Sequence, residues 1–203
     1  MPRRTKDEAN ITRQALLDAA LTVFSRMGYN ATRLEAVAVE AGVTRGAIYH
    51  HFGGKAELYT ALMNEVSAEI NPLIDRVLCQ DTGALEKLRG LFVLPLEYAA
   101  SNTRYREASE LMFFRTEALP ELEAGWNAKI SGINLLVGLV AEVIQRGQNR
   151  RRDPPNLDAR DAAVTLMSLQ SGLLAVWIMS NDLIDLQSKA GDVADIFLRG
   201  IAI

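Results

Sequence analysis

With Cys79 as its one cysteine, the chain has no means of closing an intramolecular disulfide. Its two histidines, His50 and His51, are adjacent, so no Cys/His spacing suits a zinc site. A reducing cytoplasm fits, with Cys79 expected as a buried or half-buried small hydrophobe. Apolar runs of about 18 residues are missing. The opening Arg3, Arg4, Lys6, Asp7 and Glu8 lead into an amphipathic pattern rather than a signal-peptide core, so no membrane partner is expected. Strict apolar/polar alternation, internal repeats and low-complexity tracts are also lacking, which leaves an all-α chain. On a helix His50 and His51 point about 100° apart, and no nucleophile, base and orienting group stand out. The expectation is a protein that is not an enzyme and uses no cofactor.

What is present centres on residues 32–55. Thr32 followed by Glu35 has the spacing of a capping box, which starts a helix near Arg33. Leu34, Val37, Ala38 and Ala41 then share one face, and Gly42 suits a left-handed stop. Val43 plugs the turn, and Thr44 is the expected N-cap of a second helix from Arg45 to about His51. Seven residues span roughly 10 Å, which fits a major groove about 12 Å wide. Ala47, Ile48 and Phe52 are available to hold this helix inward. Thr44, Arg45, Gly46, Tyr49, His50 and His51 remain for the outer face, and Gly46 lets backbone approach phosphate. A helical hairpin that only packs is the plainer alternative.

Charge is uneven along the chain. Residues 1–55 hold eight Lys and Arg against five Asp and Glu, a local +3 in a chain whose net charge is −3. The basic end is the end with the motif, which supports nucleic-acid contact only weakly. The arm of residues 1–10, with Arg3, Arg4 and Lys6, is either a phosphate or minor-groove contact or a solvated tail.

Phe24, Gly28, Tyr29, Thr32, the run from Ala41 to Tyr49, His51-Phe52, Lys55 and Leu58 together closely resemble the DNA-binding domain of the TetR/AcrR family of bacterial transcriptional regulators. The match covers about the first 60 residues. His50 stands where the family often has Trp, and Gly53-Gly54 where it usually has a bulkier or polar pair. The resemblance implies a three-helix helix-turn-helix domain over residues 1–54 and a helical ligand-binding and dimerisation domain over 55–203, about nine helices in all. It implies double-stranded operator DNA as partner, contacted by Thr32, Arg33, Thr44, Arg45, Gly46, Tyr49, His50, His51 and Lys55.

The rest of the chain reads as helices. One from Ile11 to Met27 braces the motif and stops at Gly28-Tyr29. Lys55 begins a long one that runs to about Asn71 or, across Pro72, to Cys79; Pro72 is expected to kink or end it near Asn71, and Lys55 itself is either a phosphate contact or an idle exposed lysine. Further helices are expected over 84–101 with an interruption at Pro95, over 105–118, from Pro120 to Arg146 with Gly147 as cap, over 158–179 and over 187–203. The loop with Arg150, Arg151 and Arg152 is a solvated connector or, less simply, a basic patch. The last two helices are apolar beyond one stripe, which suggests that they pair with a second subunit as a homodimer.

The C-terminal part also resembles the AcrR-like branch that represses multidrug efflux operons, through Glu110 to Glu117, Arg146-Gly147-Gln148, Ser171-Gly172-Leu173 and Trp177. In that branch an apolar pocket takes hydrophobic or aromatic small molecules, which release the repressor from its operator. Phe92, Tyr98, Met112, Phe113, Phe114, Trp126, Met167 and Met179 can line a cavity or simply fill a core. Positions matching the branch assign the ligand to Ser109, Phe113, Leu136, Met167, Gln170 and Ser171. Two other readings stay open: the same fold sensing a fatty-acyl or signalling metabolite, and a helical small-molecule-binding or catalytic protein with a relic helix-turn-helix.

Overall fold

The structure is a computed structural model that describes residues 6–149 and 157–201. Expectations for Arg3, Arg4, the Arg150–Arg152 loop and residues 202–203 lie outside the described residues. Among those described there are nine α-helices, one short 3-10 turn and no strand. The helices are α1 (Lys6–Ala31), α2 (Leu34–Glu40), α3 (Arg45–His51), α4 (Lys55–Cys79), α5 (Ala84–Ser101), α6 (Thr103–Phe114), α7 (Glu123–Gln148), α8 (Ala159–Met179) and α9 (Leu186–Ile201), with the 3-10 turn at Pro120–Leu122.

Packing divides the chain into two units, and the division does not follow sequence order. The first joins residues up to Ala68 with Glu107–Gly125; the second joins Glu69–Arg106 with the chain from Trp126 onward. The first unit is built on Leu16, Leu17, Ala20, Val23 and Phe24 of α1, Val37 of α2, Ile48 of α3 and Leu58 and Leu62 of α4, all buried. Phe24, Tyr29 and Tyr59 form an aromatic cluster with ring centroids 5.1 to 5.8 Å apart, worth about 0.5–1.5 kcal/mol per pair beyond area burial. Gly28 kinks α1 three residues before its end, with φ 76° and ψ 162°, a region essentially reserved for glycine. The turn there lets the Tyr29 amide donate to the Arg115 carbonyl at 2.9 Å.

The second unit is a helical core of Leu88, Phe92 and Leu96 from α5, Val140 and Ile144 from α7, Ala163, Leu166 and Trp177 from α8, and Ala190, Ala194 and Leu198 from α9. Asp158 caps α8 by accepting from the amides of Arg160 and Asp161 at 2.8 and 2.9 Å, the placement that Asp at an N-cap favours.

Helix α4 runs across Pro72 to Cys79, the longer of its two expected spans, and α5 covers its expected span to Ser101 with no break at Pro95. Pro95 has no N–H for the Leu91 carbonyl one turn back. The Gln170 side-chain amide of α8 supplies one, donating to the Leu91 and Phe92 carbonyls at 2.9 and 2.6 Å. Gly147 lies inside α7 rather than capping it, and Pro120 opens the 3-10 turn rather than the long helix itself. α6 stops at Phe114, earlier than expected. Cys79 is exposed, because the last turn of α4 leads into a solvent-facing bend rather than a core.

Candidate nucleic-acid interface

The local geometry of residues 28–55 follows from how α1 hands over to α2. Helix α2 starts at Leu34 with Arg33 as its extended N-cap, and no side chain caps it. The expected capping box therefore does not form. Thr32 is 3% exposed, and its hydroxyl donates to the Gly28 carbonyl at 2.7 Å, so it ties the end of α1 to the turn instead of facing solvent. Glu35, released from the cap, reaches across to α3.

Gly42 takes φ 65° after the Ala41 C-cap, and the Val43 amide donates to the Ala38 carbonyl at 2.9 Å, closing the turn between α2 and α3 as the sequence requires. Thr44 is the N-cap of α3 in position, without a side-chain bond. Ile48 is fully buried, with Ala47 and Phe52 half-buried, which fixes the inward face. Thr44, Arg45, Gly46, Tyr49, His50 and, from α2's start, Arg33 are exposed; His51 is half-buried. Arg13 of α1 lies 5.2 Å from the centre of the Phe52 ring and 3.5 Å from Glu65, which holds α3's end between α1 and α4.

Arg45 is the most connected group on the outer face. One guanidinium nitrogen, Nη1, donates to Glu35 Oε1, and the other, Nη2, donates to the Tyr49 hydroxyl at 2.7 Å. The hydrogen bond to Tyr49, then the charge of Glu35, push its pKa further up, so it is a permanent cation. Tyr49 follows Arg45 by one helical turn, so its ring lies under the guanidinium, 5.3 Å from centroid to Cζ.

Lys55 opens α4 but does not stand free. Its ammonium donates to the Asn30 carbonyl at 3.2 Å and sits 4.3 Å from the centre of the Tyr29 ring. Burial lowers its pKa, partly offset by Glu121. Gly53 takes φ 95° in the turn before it. At Gly54 a Cβ would meet Glu57 Oε2 at 2.9 Å, so the second glycine leaves room for the carboxylate of α4's first turn. The Tyr29 hydroxyl donates to Glu121 at 2.6 Å, and burial followed by this bond raises its pKa well above the usual tyrosine range. Tyr59 donates to Thr116 at 3.0 Å. Residues 115–121 are thus fastened to α1 and α4 inside the first unit, a connection with no signal in sequence periodicity.

The six residues assigned to a ligand fall in both units. Ser109, buried, and Phe113, 36% exposed, belong to the first; Leu136, Met167, Gln170 and Ser171 belong to the second. Leu136 and Met167 are half-buried against the second core, Ser171 is exposed, and both N–H groups of Gln170 are given to α5. Of the wider set, Phe92 is core and Met179 is 72% exposed.

A stripe of exposed residues runs along α8 at successive turns: Val164, Ser168, Gly172, Val176 and Met179, joined by Leu169 and by Leu183 just beyond. Ile196 of α9 is 74% exposed. Pro120–Gln148 and α8 are long and apolar enough to cross a membrane by length and composition alone. Their polar positions, Asn127, Asn134 and Gln170 among them, and the way α8 and α9 pack on α5 make them elements of a helical domain.

A short helix that presents Arg45 and Tyr49 outward from a tight turn after a bracing helix defines a helix-turn-helix transcriptional regulator. The sequence profile of "Bacterial regulatory proteins, tetR family" matches residues 16–62, that of "MAATS-type transcriptional repressor, C-terminal region" matches residues 83–202, and the chain belongs to this family. It is 31% identical over 200 residues to the HTH-type transcriptional regulator AcrR of Shigella flexneri, covering 98% of this chain and 93% of that one. It is 32% identical over 198 residues to the HTH-type transcriptional regulator TtgR of Pseudomonas putida, covering 95% and 91%. Among solved structures it is similar to NalD, the secondary repressor of the MexAB-OprM multidrug efflux pump in Pseudomonas aeruginosa, with TM-score 0.81, 28% identity and coverage of 93% and 95%.

Proposed function

We propose that this protein is a cytoplasmic, homodimeric repressor of a multidrug efflux operon that hydrophobic or aromatic small molecules release from its operator. The observation that carries the DNA half is the outer face of α3, where Arg45 and Tyr49 stand beside exposed Thr44, Gly46 and His50. Arg33 extends this face from α2. His51 and Lys55 join it from half-buried positions, Lys55 by leaving its seat on Tyr29 for a phosphate at the start of α4. The buried, engaged Thr32 hydroxyl supports the turn rather than a contact. Residues 1–54, joined by Lys55, supply this DNA-facing surface, and the remainder of 55–203 supplies the ligand and dimer elements.

One seven-residue helix buries too little for tight site-specific binding, whereas a twofold pair reads two half-sites about 34–36 Å apart. The exposed apolar stripe of α8, continued at Ile196 of α9, supports pairing through these two helices. The efflux assignment rests on the names of the relatives, including a probable acrEF/envCD operon repressor of Escherichia coli, 31% identical over 205 residues. Ser109, Phe113, Leu136, Met167 and Ser171 remain the proposed ligand contacts, with Gln170 able to offer only its carbonyl oxygen. A hundredfold loss of operator affinity requires about 2.7 kcal/mol of preference by the ligand for the released state.

Gel shifts on a duplex that the protein enriches from a pool of random sequences, with and without a panel of aromatic drugs, test the whole reading. Arg45→Ala is expected to weaken binding by about 1–3 kcal/mol and relax the sequence preference at one position. Retention of full affinity and preference by Arg45→Ala would remove α3 as the reading helix, and failure of every drug to weaken binding would remove the efflux-sensor role.

A further inference from the structure

We infer that Glu35 is a specificity-determining residue of the DNA-reading surface: its carboxylate holds Arg45 for base contact and turns phosphate away. This rests on the proposal that α3 reads DNA. Glu35 stands in the first turn of α2 and Arg45 in the first turn of α3, and the two meet across the turn as an ion pair whose side chains are 55% and 53% exposed. A carboxylate on a surface meant for a polyanion is unfavourable unless something uses it. Stability is a poor explanation, because an ion pair this exposed contributes little to the fold.

The geometry gives it a different use. A free arginine at the entrance of a major groove takes any phosphate within reach, and such a contact carries no sequence information. Here Glu35 and the Tyr49 hydroxyl engage the two terminal guanidinium nitrogens. That uses two of the five N–H donors and leaves three, enough for the two-pronged contact with guanine O6 and N7. On a matching site Arg45 can bridge Glu35 and a base, so the carboxylate stays neutralised. On a mismatched duplex Arg45 gains most by swinging to phosphate, which abandons Glu35 to face the backbone charge alone. The penalty falls on the wrong sequence, which is discrimination by repulsion.

The test uses the full-length protein, a duplex enriched by it from a pool of random sequences, and a scrambled duplex of the same composition, each titrated at several salt concentrations. Glu35→Gln is expected to bind the scrambled duplex about three- to fivefold tighter. Its salt dependence there should steepen by about one phosphate contact, with no gain on the enriched duplex. Glu35→Asp keeps the charge but falls short of Arg45; it should leave the scrambled duplex as in the wild type and lose affinity for the enriched one. Equal shifts on both duplexes, or none, in either variant overturn the assignment while leaving α3 as the reading helix. A wild-type protein that enriches no sequence overturns the DNA-binding proposal and the role of Glu35 together. Matched thermal unfolding of all three proteins, expected because the pair is exposed, separates selectivity from damage to the fold.

Discussion

Gln170 illustrates how one side chain can be recruited by a defect elsewhere. Pro95 leaves the Leu91 carbonyl without its helical partner, and an unsatisfied buried acceptor costs about 1–3 kcal/mol. Gln170 removes that cost from the facing helix. Gln170→Leu is therefore expected to destabilise the protein by about that amount, read as a lower urea midpoint, even if every inducer still binds. Four tyrosines, Tyr29 and Tyr59 buried and Tyr98 and Tyr105 half-buried, make a second residue-scale prediction. Tyr29, Tyr59, Tyr98 and Tyr105 all have raised pKa values with burial as the main cause. A raised folded value means the stabilisation is complete below the unfolded value, about 10, and is lost as pH climbs through the folded values. Lys55 and Lys129, lowered by burial, act oppositely, since their penalty is relieved as pH rises toward the unfolded lysine value. Denaturant melts should thus weaken above about pH 10, and Tyr29→Phe should flatten that decline while costing about 1 kcal/mol at neutral pH through the lost bond to Glu121.

At the scale of elements, the helix-turn-helix was the most legible part, because its geometry depends on a few local choices. Gly42 has no Cβ to oppose a positive φ, and the bounds of α3, Arg45–His51, follow from the Thr44 cap and the inward Ile48. Proline was misleading for the opposite reason: whether it ends a helix depends on what lies across from it. Pro95 is tolerated because Gln170 is there, 75 positions later in the sequence, and no local pattern reveals that. Glu35 was misread similarly, since the spacing from Thr32 suits a cap, yet Thr32 is drawn into the end of α1 and Glu35 finds Arg45. Pro72 has the clearest consequence for α4. It removes the bond to the Ala68 carbonyl, and the division between the two packing units falls at Ala68 and Glu69. Pro72→Ala should restore that bond and stiffen the helix, raising the melting temperature. It should also shrink the drug-dependent loss of operator affinity in gel shifts; an undiminished drug response would show that α4 does not bend there to transmit the signal.

For the whole molecule, apolar periodicity predicted the all-helical class and the apolar character of α8 and α9, but not which surfaces stay uncovered. That depends on the exposed turns at Val164, Val176 and Met179 and at Ile196. If these face a second copy, Val176→Arg places a charge in a closely packed apolar seam. Sedimentation should then report a shift from dimer toward monomer, and operator affinity should fall about tenfold or more as the second half-site is lost. A dimer unchanged by this variant would move the interface elsewhere.

The fastening of residues 115–121 to α1 and α4 has a consequence for how the protein is made. Tyr29 and Tyr59 receive their partners Glu121 and Thr116 only 92 and 57 residues further along in synthesis. The DNA-reading head is therefore completed late, after α1 to α6 have been made. A nascent chain halted before Thr116 should hold α1 to α4 with the hydroxyls of Tyr29 and Tyr59 still facing water, and premature termination in this stretch should yield fragments that proteases clear instead of partial repressors that occupy DNA.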